Sequence, residues 1–284
     1  MGCGKPTLSW LAVRYIDSMA ERREPSLESL LRQAVEFGLS FVELHYSMLP
    51  AYDRKTLNAV CDLLSRYGIG VSQLTCAPDF VHPDESVRLK ELEQMKTMVE
   101  VARVIGARGV RVTVGCLHEG VSVTDGINWA VECINRLLDF SEPRGIKLGL
   151  ENHYKDRLWK KVDFAFQPAV FLEVFHRLEG TPIGVNFDAS NPLMVGEDPL
   201  TILREVKHKV WHMHASDRTV GSYQHTVVGE GDVNYDAIMA ELASIGYYGF
   251  ISLEDGNPIG DEGTRRSLSF LRRKVEEHFG EPPN

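Results

Sequence analysis

The sequence has no apolar run near the roughly 20 residues that a membrane-spanning helix needs, so no membrane partner is expected. Paired cysteines are missing too. Cys3, Cys61, Cys76, Cys116 and Cys133 are odd in number and contain no CxxC, which signals neither a disulfide framework nor a thiolate metal site and suits a reducing, cytoplasmic compartment. Positive charge is short: 31 Lys and Arg stand against 40 Asp and Glu, a formal net charge of −9. Nucleic-acid affinity rests on Lys and Arg neutralising phosphates, so this balance argues against a nucleic-acid partner. No P-loop or dinucleotide fingerprint occurs, and no nicotinamide or flavin cofactor is implied. The first residues, Met1-Gly2-Cys3-Gly4-Lys5-Pro6-Thr7, lack the apolar stretch of a secretory signal. They also break a myristoylation motif at Pro6, where Ser or Thr is required, and read as a frayed, unlipidated end. No Pro/Ser-rich linker, charge block or low-complexity segment divides the chain, so a single globular domain over residues 1–284 is the simplest account.

What the sequence does contain is a repeat: a short β-rich run, then an amphipathic segment, ending in most units at glycine. Eight β runs fall at 8–15, 41–46, 70–76, 109–114, 147–151, 183–187, 210–214 and 250–253. Helical patterns fall at 26–37, 52–67, 84–105, 124–143, 168–179, 198–207, 234–245 and 263–279. Gly38, Gly68, Gly106, Gly145, Gly180 and Gly246 stand where helices should stop, because glycine enters the left-handed conformation without a Cβ clash. Ser26, Asp84, Thr124 and Asn234 are candidate N-caps. In 84–105, Leu89, Leu92, Met95, Val99 and Ala102 should face the protein interior. Eight alternations of strand and helix predict parallel strands with right-handed crossovers, closed into an α/β (β/α)8 TIM barrel. Two connections, 152–167 and 215–233, are long and follow strands, which in a barrel places them on the catalytic face.

Four consecutive late strands end in chemistry-bearing residues: Glu151, Asp188, His214 and Glu254. Each acid taken alone reads as a cap for the following helix. Together they would converge at the barrel mouth as three carboxylates and one imidazole with no positive side chain between them, and such a cluster needs a cation. This donor set suits one divalent ion, Mn²⁺ first, then Mg²⁺ or Co²⁺, with Zn²⁺ also compatible.

The segments Leu150-Glu151-Asn152-His153, Val185-Asn186-Phe187-Asp188, His212 to Arg218, Gly229 to Tyr235 and Gly246 to Glu254 resemble the xylose isomerase-like superfamily of sugar and sugar-phosphate isomerases and epimerases, which includes ketose 3-epimerases and inosose dehydratases. The resemblance implies the same four metal ligands, and a substrate-contacting Arg at Arg218. It further implies proton abstraction beside a carbonyl through an enediolate, with Glu151 and Glu254 on opposite faces of a small carbohydrate-like substrate. In the superfamily's epimerases a His often stands three residues after the Asp ligand; this chain has Asn191 there. A lyase or dehydratase acting on a keto-sugar, keto-inositol or 3-keto-glycoside would share all four ligands and is the closest alternative. An abasic-site endonuclease, with three zinc ions, is disfavoured by Asn191, by Tyr223 and by the acidic charge. The paired glutamates argue against a barrel that binds without catalysis.

Other candidate substrate contacts are His153, which shares the orientation of Glu151 if the strand persists, and Lys155 in the loop beyond it, where Tyr154 and Trp159 either cover a sugar or pack on one another. Glu43 alternates with Val42 and Leu44; the superfamily often places a Glu of the second strand at the pocket floor, and His45 shares its parity. Asn191 is a further candidate, as is His225, which precedes a Gly229-Glu230-Gly231 turn able to bring backbone close to a substrate or phosphate. Asp79, His82 and His118 fall on the same side without a clear role. Exposed barrel helices often pair, so a homo-oligomer is compatible with the sequence.

Overall fold

The computed structural model describes residues 4–280, so Cys3 and the start of the near-lipidation segment lie outside the described residues. Eight parallel strands close in sequence order: β1 (Thr7–Leu11), β2 (Phe41–His45), β3 (Gly70–Thr75), β4 (Gly109–Val112), β5 (Lys147–Glu151), β6 (Gly184–Asp188), β7 (Val210–Ala215) and β8 (Phe250–Glu254). Around them run α1 (Ile16–Arg22), α2 (Leu27–Glu36), α3 (Arg54–Tyr67), α4 (Glu85–Ile105), α5 (Val123–Ser141), α6 (Pro168–Leu178), α7 (Pro199–Val206), α8 (Tyr235–Ser244) and α9 (Asp261–Phe279). This is the (β/α)8 barrel that the alternating pattern predicts. No described helix is long and apolar enough to cross a membrane.

Local signals explain most boundaries. In α3, Leu57, Val60 and Leu64 form one buried face, and Asp53 caps the first turn by accepting from the amides of Lys55 (3.0 Å) and Thr56 (3.1 Å). Ser26, Asp84 and Asn234 cap α2, α4 and α8 as expected. Thr124 does not cap α5; Ser122 does, two residues earlier. Gly38, Gly68, Gly106, Gly145 and Gly246 take positive φ, whereas Gly180 does not, because α6 stops at Leu178 with Glu179 still right-handed. Leu89 is exposed at the start of α4, while Leu92, Met95, Val99 and Ala102 are buried. The first strand ends at Leu11 instead of Tyr15, and its remainder coils into a short turn leading to α1, a helix that the periodicity did not show.

The barrel lumen is polar. Hydrogen bonds cross it between strands that are not neighbours: Ser9 to Ser72 (2.6 Å), Ser72 to His212 (3.4 Å) and Glu43 to His214 (2.9 Å). The alternate residues Val42, Leu44, Val110, Val112, Leu148, Leu150, Val185 and Phe187 belong to the apolar core. Two bulges change this parity. Between Val71 and Leu74 the third strand carries one residue more than its neighbour, and both Ser72 and Gln73 bond within the lumen. Between Val210 and His212 the extra residue is Trp211, whose indole lies against Gly109, Gly149 and Gly184 on three successive strands. A Cβ at Gly109 or Gly184 would overlap that ring. Trp211 therefore plugs the lower end of the barrel, and glycine at those positions makes the room.

Replacing Gly184 with Val should destabilise the fold by about 1–3 kcal/mol through overpacking against Trp211. A urea midpoint equal to that of the parent protein would show that the indole can move aside.

Candidate active site

His214 is the centre of the site. It is fully buried, with Nδ1 2.6 Å from Glu151 Oε1 and Nε2 2.9 Å from Glu43 Oε1. Burial works against a charged ring, yet the two carboxylates outweigh it and hold the His214 pKa well above its ordinary value. Glu43 also accepts from Gln73 Nε2 (3.0 Å) and from the Thr75 hydroxyl. Burial opposes its charge, but His214 and His212 keep it well below the usual carboxylate range.

Asp188 is fixed by backbone and hydroxyl donors. Its Oδ1 accepts from the amides of Ser190 (2.9 Å) and Asn191 (2.6 Å), and its Oδ2 from the Ser216 hydroxyl (2.9 Å). Asn152 bonds both the amide and the carbonyl of Asp188 at 2.8 Å, locking the ends of β5 and β6 together. One donor atom each from Glu151, Asp188 and His214 lies within 4.8 Å of the others. Glu254 is not in that group; it lines the cavity above, with Oε2 buried and lacking a hydrogen-bond partner. Burial and nearby Asp188 push its pKa up to about 8.

These residues fit a divalent cation. The Nδ1 of His214 faces Glu151 and Asp188 while Nε2 faces Glu43, the arrangement in which a carboxylate orients a ligating imidazole from behind. The buried, unpartnered Glu254 oxygen is the kind of group that a cation satisfies.

The expectation that no positive side chain lies among the carboxylates is overturned. Arg111 on β4 is buried, donating through one guanidinium nitrogen to Glu151 Oε2 and through the other to Asp156 Oδ2, both at 2.9 Å, and through Nε to the Cys76 carbonyl at 3.0 Å. Arg111 thus occupies one oxygen of Glu151 and leaves the other facing His214. A lone charge in the apolar run Val110-Arg111-Val112 was the signal that could have exposed it. Asp156, in an irregular loop, left no such signal.

Above the ligand group lies a cavity of about 270 Å³. His153, Lys155, Asn191, Arg218 and His225 line it with Glu254, so both long loops contribute to its wall. Glu43 does not line it, since the side chain lies lower in the barrel and supports His214. His153 Nδ1 is 3.2 Å from Asp163 Oδ2, and Asn191 donates to the Asn152 carbonyl at 3.2 Å. The 152–167 loop packs its own aromatics: Trp159 stands edge-on to His153 at 5.6 Å and Tyr154 to Phe166 at 6.2 Å. Asp79 and His118 pair at 2.7 Å away from the cavity lining.

The glycine turn has a different role from phosphate binding. The amides of Gly229 (2.8 Å), Gly231 (3.1 Å) and Val233 (3.1 Å), with that of Arg218 (2.9 Å), all donate to the Asp217 carboxylate. Asp217 organises the loop that carries Arg218 and His225, and those amides are not free for a ligand.

The sequence profile of the xylose isomerase-like TIM barrel family matches residues 31–274. The chain belongs to that family. A protein of Methanocaldococcus jannaschii, described only as uncharacterised, is 24% identical over 240 residues, covering 82% of this chain and 80% of its own length. A solved D-tagatose 3-epimerase-like protein superposes with a TM-score of 0.78 at 21% identity, over 97% of this chain and 98% of its own. An IolI protein with a bound zinc atom superposes with a TM-score of 0.77 at 18% identity, over 97% of this chain and all (100%) of its own. Within this xylose isomerase-like barrel, Arg111→Met would leave Glu151 and Asp156 buried without their cation. The cost should be about 3–5 kcal/mol of folding stability, read from urea unfolding; an unchanged midpoint would mean that Arg111 is dispensable.

Proposed function

We propose that the protein is a divalent-metal-dependent enzyme that moves a proton at the carbon beside a carbonyl in a small sugar-like substrate, as an isomerase or epimerase. The observation that carries this reading is the pair of glutamates in opposite settings: buried Glu151 with both oxygens engaged by His214 and Arg111, and half-buried Glu254 with a buried, unpartnered Oε2 at the cavity wall. Glu151, Asp188, His214 and Glu254 would hold the ion, which when bound supplies Lewis-acid polarisation of substrate oxygens. The Glu254 oxygen left uncommitted by the ion would take or return the substrate proton. Glu151 comes from a strand three places around the barrel and would serve the opposite face of the substrate. Arg218, His225, His153 and Asn191 would bind and orient hydroxyl groups, and the Tyr154–Tyr223 contact at 6.1 Å joins the two long loops beside the cavity. The D-tagatose 3-epimerase-like neighbour supports sugar epimerisation, and the zinc-bound neighbour supports a divalent ion.

Dehydration is the second reading. Asn191 stands where the superfamily's epimerases often carry a His, and its amide cannot act as an acid or base at neutral pH. Without a second proton carrier there, an enolate that expels a β-substituent competes with one that is reprotonated.

Incubation in D₂O with ketoses, keto-inositols and 3-keto-glucosides should separate the two. Deuterium at the α carbon marks isomerase or epimerase chemistry, and an ultraviolet-absorbing enone marks elimination. Glu254→Gln should lower turnover about 10²–10⁴-fold; full turnover in both Glu254→Gln and Glu151→Gln would sink the proton-transfer reading. One divalent ion per chain should be found by elemental analysis and lost in Asp188→Ala. Failure to bind metal even after reconstitution would remove the four-ligand site.

A further inference from the structure

The lower end of the barrel carries a second cavity, of about 600 Å³, at the face opposite the ligand group. The first residues of the late strands wall it: Lys147 opens β5, Gly184 opens β6, Val210 opens β7 and Phe250 opens β8, while Arg108 directly precedes β4. In a barrel this end ordinarily serves stability, and nothing in the proposed reaction uses it. Its lining runs against the composition of the chain. Asp and Glu outnumber Lys and Arg by 40 to 31 overall, yet no carboxylate lines this cavity, whereas Arg108, Lys147, Lys207, His208 and Lys209 all do. Two of these have acidic neighbours outside the cavity: Lys207 pairs with Glu241 at 2.8 Å, and His208 faces Glu179 at 2.9 Å. The other three are unmatched. Arg108 and Lys147 reach no carboxylate among the described residues, and Lys209 donates to the uncharged Thr181 carbonyl at 2.9 Å.

The same cavity is aromatic. Trp211 and Phe250 line it half-buried, and Tyr248 beside them is 75% exposed, the largest fraction for any bulky hydrophobic side chain among the described residues. The Lys147 ammonium lies 6.0 Å from the centre of the Trp211 ring, so a positive charge stands beside the indole. Lysines on a convex surface are satisfied by water alone. These surround a concavity of the size that small molecules occupy. We infer that this cavity binds a small aromatic anion, its ring against Trp211 and Phe250 and its acid group on Arg108, Lys147 and Lys209. A ring placed there removes water from the apolar faces, and a carboxylate or phosphate accepts charge-assisted hydrogen bonds from the ammonium and guanidinium groups. An inorganic anion would leave the rings wet, and an uncharged aromatic molecule would leave the cations unmatched. The inference is independent of the proposed reaction, because the two cavities lie at opposite ends of the barrel with no lining residue in common.

Isothermal titration of the full chain tests this with two probes, adenosine 5′-monophosphate and 2-naphthoate, which share the ring-and-charge chemistry; the tighter one identifies the acid group. At least one should bind saturably at one site per chain, about tenfold or more tighter than adenosine, inorganic phosphate or acetate. Arg108 and Lys147 are both exposed, and the double variant Arg108→Met/Lys147→Met should weaken that binding about tenfold or more, while Arg108→Lys/Lys147→Arg, which keeps both charges, should retain it. Lys155→Met, in the cavity at the other end of the barrel, should leave it unchanged. Binding by neither probe overturns the inference, as does equal affinity in the parent protein and Arg108→Met/Lys147→Met. Inorganic phosphate binding as tightly as the nucleotide would remove the ring from the site, and a loss in Lys155→Met would move the anion to the upper cavity; either result also overturns it.

Discussion

An imidazole clamped between two carboxylates spans the barrel, and the remainder of the site is arranged around it. His214 joins Glu43 of β2 to Glu151 of β5 through its two ring nitrogens. None of these groups is stable in the interior without the others, because each buried charge depends on a partner to offset its lost hydration. The clamp therefore couples the closure of the sheet to the assembly of the ligand group. It also orients the ring, since a nitrogen committed to Glu43 leaves the other facing Asp188 and Glu151.

Below the clamp the lumen is hydrogen-bonded instead of oily. Ser9, Ser72, Asn186 and His212 bond to one another across it, with His212 Nδ1 2.9 Å from Asn186 Oδ1. Burial lowers the His212 pKa to about 4, so its neutral ring serves as a hydrogen-bonding spacer beneath His214. Trp211 closes this polar column from beneath. The inward-facing polar residues gain order from mutual satisfaction, while the outward-facing apolar residues under the helices supply the hydrophobic stabilisation.

Above the clamp, the two long loops build the cavity wall. Asp217 gathers four backbone amides and so shapes the segment that presents Arg218 and His225. Arg218 then reaches Ser190 beyond β6 and the carbonyl of Tyr223, whose hydroxyl in turn approaches the Lys155 carbonyl at 3.4 Å. The strand ends carry the cluster of carboxylates and imidazole and the loops supply the cavity wall, the division that in barrels of this kind lets loop variation reshape a site on a constant scaffold.

The sequence by itself determined the eight strand–helix units, most helix ends and the four residues closing the late strands. These are local properties, set by hydrophobic period, cap chemistry and glycine, and each can be read within a few residues. Only the tertiary structure decided what those four residues touch. Glu43 proved a support for His214 beneath the cavity, because lumen contacts depend on residues in three separate strands. Arg111 and Asp156 entered the site unannounced, one from a strand whose early position drew no attention and one from a loop without periodicity. The glycine turn looked open until Asp217, a dozen residues away, was seen to fill it. A charge or an amide becomes available to a ligand only when nothing else in the fold has claimed it, and that is a property of the closed barrel.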